Sequence, residues 1–117
     1  MIVLYGISNC DTVKKARAWL AGQNAVYTFH DFKKSGVPNE ALASWVQAVS
    51  RDKLLNRQGT TWRKLDAATQ ASVVDDTSAM ALLQAQPSLI KRPVVCWADA
   101  ITVGFDADAW AARLAAQ

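Results

Sequence analysis

The chain opens on Met1-Ile2-Val3-Leu4-Tyr5 and stops at Gly6, an unbroken run of strand formers that predicts a short strand buried on both faces. The period then changes. Ser8 and Asn9 offer helix N-caps, and Val13, Ala16 and Leu20 recur at helical spacing with Lys14, Lys15 and Arg17 between them. Gly22 and Asn24 mark the end of that helix. Residues 25–32 (AVYTFHDF) return to a strand pattern. Strand, helix and strand joined by short links form a right-handed βαβ unit, so the two strands are expected to be parallel.

Residues 33–39 read as a loop, with Pro38 suited to a first helical turn. The next helix, 40–50, carries Leu42, Trp45, Val46 and Val49 on one face. No strand is expected from Arg51 to Gln86. Leu54-Leu55 and Gly59-Thr60-Thr61 interrupt short helical pieces, and helices follow near 67–74 and 78–86, the second capped by Thr77 or Ser78 and ended by Pro87. Pro93 introduces the apolar run Val94–Trp97, residues 98–100 turn, and Ile101–Gly104 returns as the second strand of a hairpin. Asp106 or Asp108 caps a last helix that buries Trp110 and Leu114. The order βαβ, helical segment, ββα predicts a single α/β domain over 1–117. Its architecture is a thioredoxin-like (glutaredoxin-like) mixed four-stranded sheet with an all-helical insertion at about 38–86.

Composition narrows the function classes. With 117 residues the chain suffices for one hydrophobic core, and 51% hydrophobic against 20% charged residues is ordinary for a globular protein. It holds no apolar run of the roughly 20 residues a membrane span needs and no basic leader ahead of an apolar stretch, so a cytoplasmic location is expected and no membrane partner. The formal charge of +3 and pI of about 9.1 are mild. Basic residues fall in three local groups, Lys14/Lys15/Arg17, Arg51 to Lys64 and Lys91/Arg92, with acids interspersed. That distribution suits a small anion better than nucleic acid.

The two cysteines, Cys10 and Cys96, lack metal-ligand spacing and His30 is the only histidine; no metal is expected. Cys96 lies in an apolar strand and reads as core. Cys10 lies where a strand gives way to a helix, just outside the carboxyl end of a strand in an open sheet, where ligands tend to bind. An ordinary thiol of pKa about 8.5 is only about 3% thiolate at pH 7. A helix N-terminus contributes about 0.3–1 kcal/mol toward the anion, while each unit of pKa lowering requires about 1.4 kcal/mol. A reactive Cys10 therefore needs a cation nearby; Lys14, one turn along, is the local candidate, and Asp11 acts in the opposite direction.

Three segments carry a family resemblance: Leu4 to Ala16 (LYGISNCDTVKKA), Leu54 to Leu65 (LLNRQGTTWRKL) and Ile90 to Val94 (IKRPV). Together they resemble the arsenate reductase (ArsC) family, in its YffB-like branch near the Spx regulators, over essentially the whole chain. The resemblance implies a catalytic cysteine at Cys10, anion-binding arginines at Arg57 and Arg92, and a cis peptide before Pro93. Beside these, Lys91 or Lys14 is expected to help hold glutathione carboxylates, Asn9 and Pro93 are expected to contribute to the substrate or glutathione site, and Trp62 is either core or cleft lining. The chain departs from the family pattern twice. Val13 stands where a C-x-x-C motif would have its second thiol, and Val103-Gly104-Phe105-Asp106 lacks the third arginine of true arsenate reductases.

The function expected is that of a glutathione-dependent thiol–disulfide reductase, with glutathione as co-substrate and a disulfide or glutathionylated molecule as partner. The alternative is a Spx-like regulator that binds RNA polymerase without turnover; arsenate reduction ranks last.

Overall fold

The computed structural model describes residues 1–116. In chain order the elements are β1 (Ile2–Gly6), α1 (Asp11–Gly22), β2 (Tyr27–Asp31) and α2 (Phe32–Ser35). There follow α3 (Asn39–Val49), α4 (Arg51–Leu54), α5 (Thr60–Arg63), α6 (Ala67–Ala71) and α7 (Asp76–Ala85), then a 3-10 turn at Pro87–Leu89. The chain closes with β3 (Val94–Cys96), β4 (Ile101–Val103) and α8 (Ala107–Ala116). Two compact units result: Met1–Ser35 with the chain from Arg92 onward, and Gly36–Lys91.

The first unit holds the sheet, in the order β2-β1-β3-β4. β1 and β2 are parallel, with Gly6 opposite Asp31, and β3 runs antiparallel to both β1 and β4. This is the mixed four-stranded, βαβ-plus-ββα arrangement expected from the sequence. Alternation along the strands sends Ile2, Leu4, Val95 and Trp97 to one face, where they meet Val13, Ala16 and Leu20 of α1 and Trp110 of α8. Trp110 is the hub, edge-on to Trp97, Trp19 and Phe105 with centroids 5.2, 5.9 and 4.8 Å away. Arg17 ties α1 to β2: its Nε donates to the Tyr27 hydroxyl at 3.0 Å and its guanidinium carbon sits 4.0 Å from the Phe29 ring centroid.

Several boundaries differ from the sequence reading, each for a local reason. Cys10 itself, rather than Ser8 or Asn9, occupies the N-cap of α1, in extended conformation with no side-chain cap bond. β2 ends at Asp31 because the chain turns there into α2, the Asp31 carboxylate accepting the Lys33 N–H at 2.9 Å. Asp106, not Asp108, caps α8, accepting the Ala109 N–H at 3.1 Å.

The second unit is helical, and α3 packs on α4 and α7 with Leu42, Trp45, Leu54, Leu83 and Leu89 fully buried. Pro38 takes the N-cap of α3 rather than its first turn. Neither Thr77 nor Ser78 caps α7. Asp75 does, receiving the Ser78 N–H at 2.8 Å while the Ser78 hydroxyl takes the Asp75 N–H at 3.1 Å, a reciprocal capping box. The helix expected to reach residue 74 ends at Ala71. Leu55 and Ile90 pair as an isolated bridge, flanked by N–H donation from Asn56 to the Leu89 carbonyl and from Lys91 to the Leu54 carbonyl. Among the described residues no helix is long and apolar enough to cross a membrane.

Gly6 sets how closely α1 approaches β1, since a Cβ there would sit 2.8 Å from Cγ2 of the fully buried, β-branched Val13. Gly6→Ala is expected to lower unfolding free energy by about 1–3 kcal/mol in urea denaturation; an unchanged midpoint would show that α1 is free to move outward.

Candidate active site

β1 delivers the chain to the site. After Gly6, Ile7 is buried, Ser8 and Asn9 are exposed in the turn, and half-buried Cys10 begins α1. Its carbonyl accepts the Lys14 N–H at 2.9 Å, so the first α-helical turn closes on Cys10 and leaves the N–H groups of Thr12 and Val13 available to its sulfur. Both act on it. Burial pushes the Cys10 thiol up, but hydrogen bonding from the Val13 N–H, from the Arg92 side chain and from the Thr12 N–H, together with the Arg92 charge, holds it below its ordinary value.

The cation at the thiol is thus Arg92, in place of the Lys14 expected from helix spacing. Lys14 is exposed, where an ammonium keeps its hydration, whereas half-buried Arg92 arrives from the segment entering β3. The Arg92–Pro93 peptide is cis, as the family resemblance implies, and Pro93 is buried. The β1–β3 register places Val94 opposite Tyr5, which brings the approach to β3 alongside the turn that follows β1.

Arg57 and Lys91 belong to the second unit. Arg57 is exposed on the turn between α4 and α5, donating from Nη1 to the Asp52 carboxylate at 3.2 Å, with its guanidinium carbon 5.5 Å from the Trp62 ring centroid. Trp62 is half-buried, and its carbonyl receives the Gln70 side-chain amide at 2.9 Å. Lys91 is exposed, its backbone fixed by the Leu54 carbonyl at 2.7 Å. Asp52 has no counterpart in the sequence reading, since an acid five residues before an arginine in a broken helical stretch carries no pattern.

Cys96 stands apart from Cys10. It pairs with Val3 on the sheet face that also carries Tyr5, while Cys10 packs against the opposite, Leu4-bearing face. Tyr5 stacks near His30 and Phe32, centroids 4.9 and 6.4 Å away. Burial, with a smaller contribution from Cys96, pushes the Tyr5 hydroxyl up. Val13 at the third position after Cys10 leaves no thiol in the first turn of α1.

The chain has relatives over its full length. The ArsC family model matches residues 5–113. A solved YFFB protein is 48% identical and superposes with a TM-score of 0.92, covering 97% of this chain and 99% of its own. An "uncharacterized protein" of Haemophilus influenzae is 39% identical, covering 98% of this chain and 100% of that one. The global transcriptional regulator Spx of Streptococcus agalactiae serotype V is 26% identical over 92% of this chain and 79% of its own length.

Replacing Arg92 tests the electrostatics of the site. Arg92→Ala removes a charge-assisted hydrogen bond to the thiolate, so alkylation of Cys10 by iodoacetamide at pH 7 is expected to slow by roughly threefold or more, with Arg92→Lys intermediate. Equal rates in all three proteins would remove Arg92 from the account. Stability follows the same sign: because the folded thiol lies below its unfolded value, Cys10 contributes stability that is fully present above the unfolded pKa and is lost as pH falls through the folded one.

Proposed function

This chain belongs to the ArsC family, and on that footing we propose that it is a glutathione-dependent thiol–disulfide reductase whose nucleophile is Cys10. The observation that carries the reading is the set of donors serving one sulfur: the Arg92 guanidinium and the N–H groups of Thr12 and Val13, which together outweigh burial and favour thiolate. A thiol kept only as core filling gains nothing from such an arrangement.

The chemistry balances with one protein thiol. The Cys10 thiolate attacks the glutathione sulfur of a substrate–glutathione disulfide, forming a Cys10–glutathione disulfide and releasing the substrate thiolate, which takes up a proton. A second glutathione, as thiolate, attacks the glutathione sulfur of that adduct, forming glutathione disulfide and restoring the Cys10 thiolate. The two electrons that reduce the substrate come from glutathione. An external resolving thiol is required because Val13 replaces a second active-site cysteine.

Arginine forks suit carboxylates, and in this reading glutathione carboxylates are bound by Arg92 and Arg57, with Lys91 or Lys14 assisting and Asn9 at the mouth of the turn. For Arg57 and Lys91 the support is the family motifs that carry them. The backbone beside Pro93 pairs with the extended thiol substrate.

The Spx relative supports a second reading, in which the chain binds a protein partner, RNA polymerase, without turnover. The two readings part experimentally in an assay of a glutathionylated peptide with glutathione, glutathione reductase and NADPH. Turnover abolished by Cys10→Ser and retained by Cys96→Ser is the expected result. Turnover surviving Cys10→Ser refutes the reductase, as does its absence from the unsubstituted protein; stable polymerase capture indifferent to Cys10→Ser then selects the regulator.

A further inference from the structure

The turn that carries Arg57 is braced on every side. The Asn56 N–H donates to the Leu89 carbonyl at 2.8 Å, and the Asn56 side-chain oxygen accepts the Gln58 N–H at 3.1 Å. Arg63 Nη2 donates to the Gln58 carbonyl at 2.6 Å, and a Cβ on Gly59 would lie 2.9 Å from the Asn56 side-chain nitrogen. With the backbone held, the direction of the Arg57 side chain is set by its two neighbours, the Asp52 carboxylate and the Trp62 ring.

We propose that Asp52 sets the affinity of the Arg57 subsite: its carboxylate occupies the Arg57 guanidinium as an internal substitute for an anionic ligand, and an incoming carboxylate binds Arg57 by displacing it. The inference rests on the reading of Arg57 as a glutathione-carboxylate ligand. Three features support it. The contact uses a single Nη1–Oδ1 pair at 3.2 Å, which leaves the bidentate geometry of the guanidinium fork to a ligand that can adopt it. The Asp52 side chain is 73% exposed, so solvent can receive it when it is displaced. Of its two flanking cations, Arg51 is engaged instead by Asp76 at 2.8 Å and Lys53 makes no ion pair with it, so among the described residues no second ion pair requires Asp52 to stay where it is. Trp62 holds the guanidinium from its ring side while the carboxylates exchange. The consequence is a competition that every anion displacing Asp52 must meet, about two- to fivefold in apparent affinity.

The test uses the full chain with Asp52→Asn and Asp52→Glu, with Arg57→Ala as the loss reference. Asp99→Asn, in the exposed turn between β3 and β4, is the control for net charge. Phenylglyoxal labelling of Arg57, read by peptide mass spectrometry against Arg113, reports the ion pair without reference to glutathione. Calorimetric titration of glutathione, in a Cys10→Ser background, reports competition. An exposed ion pair of this kind corresponds to about a two- to fivefold change in an equilibrium. Asp52→Asn is therefore expected to label Arg57 and to bind glutathione about two- to fivefold more strongly, Asp52→Glu to return toward the parent, and Asp99→Asn to change neither. Unchanged labelling in Asp52→Asn overturns the proposal, as does unchanged or weaker glutathione affinity while Arg57→Ala weakens it; in the second case Arg57 remains a glutathione ligand. Glutathione affinity unaffected by Arg57→Ala removes Arg57 from the functional reading, and the substitute role falls with it.

Discussion

A sulfur at the head of α1 is half removed from water, and burial alone would keep it a neutral thiol. Everything distinctive about the first unit bears on reversing that preference. The contact between Arg92 and Cys10 depends on the sheet: β3 pairs antiparallel with β1, so the residue two before Val94 returns to the end of β1 from which the chain departs toward Cys10. The contact depends also on Gly6, whose missing side chain lets Val13 settle against the strand and so brings the first turn of α1, with its N–H donors, beneath the sulfur. Register, close approach and charge act on one atom, and the aromatic cluster around Trp110 holds the face on which they rely.

The second unit treats its cation differently. Arg92 is half-buried beside the Cys10 sulfur, whereas Arg57 is exposed and presented on a turn braced by Asn56, Arg63 and the missing side chain of Gly59. A fixed backbone with an adjustable guanidinium is suited to exchanging one carboxylate for another.

Much of the fold was legible in the chain. The apolar run ending at Gly6, the helical recurrence of Val13, Ala16 and Leu20, and the Pro93 hairpin determine the sheet and its main helices, because burial periodicity is a local signal. Caps were less legible. Ser8, Asn9, Thr77 and Ser78 have suitable side chains, yet the chain turns at Cys10 and Asp75, where backbone direction and reciprocal bonding decide. The site showed the same division. Position between strand and helix singles out Cys10 as a candidate, and the family motifs single out Arg57 and Arg92, but the contacts these residues make come through space. Arg92 reaches Cys10 from the far end of the sequence, and Asp52 reaches Arg57 across a broken helix, so no spacing rule points to either pair.

The central claim is that Cys10 is held toward thiolate by its surroundings. The most direct measurement is ultraviolet thiolate absorbance followed against pH for the reduced protein, with the Cys10→Ser protein subtracted. A Cys10 inflection clearly below the ordinary thiol value of about 8.5 is the predicted result. An inflection at or above that value would mean that burial prevails over Arg92 and the helix start, and would contradict the account.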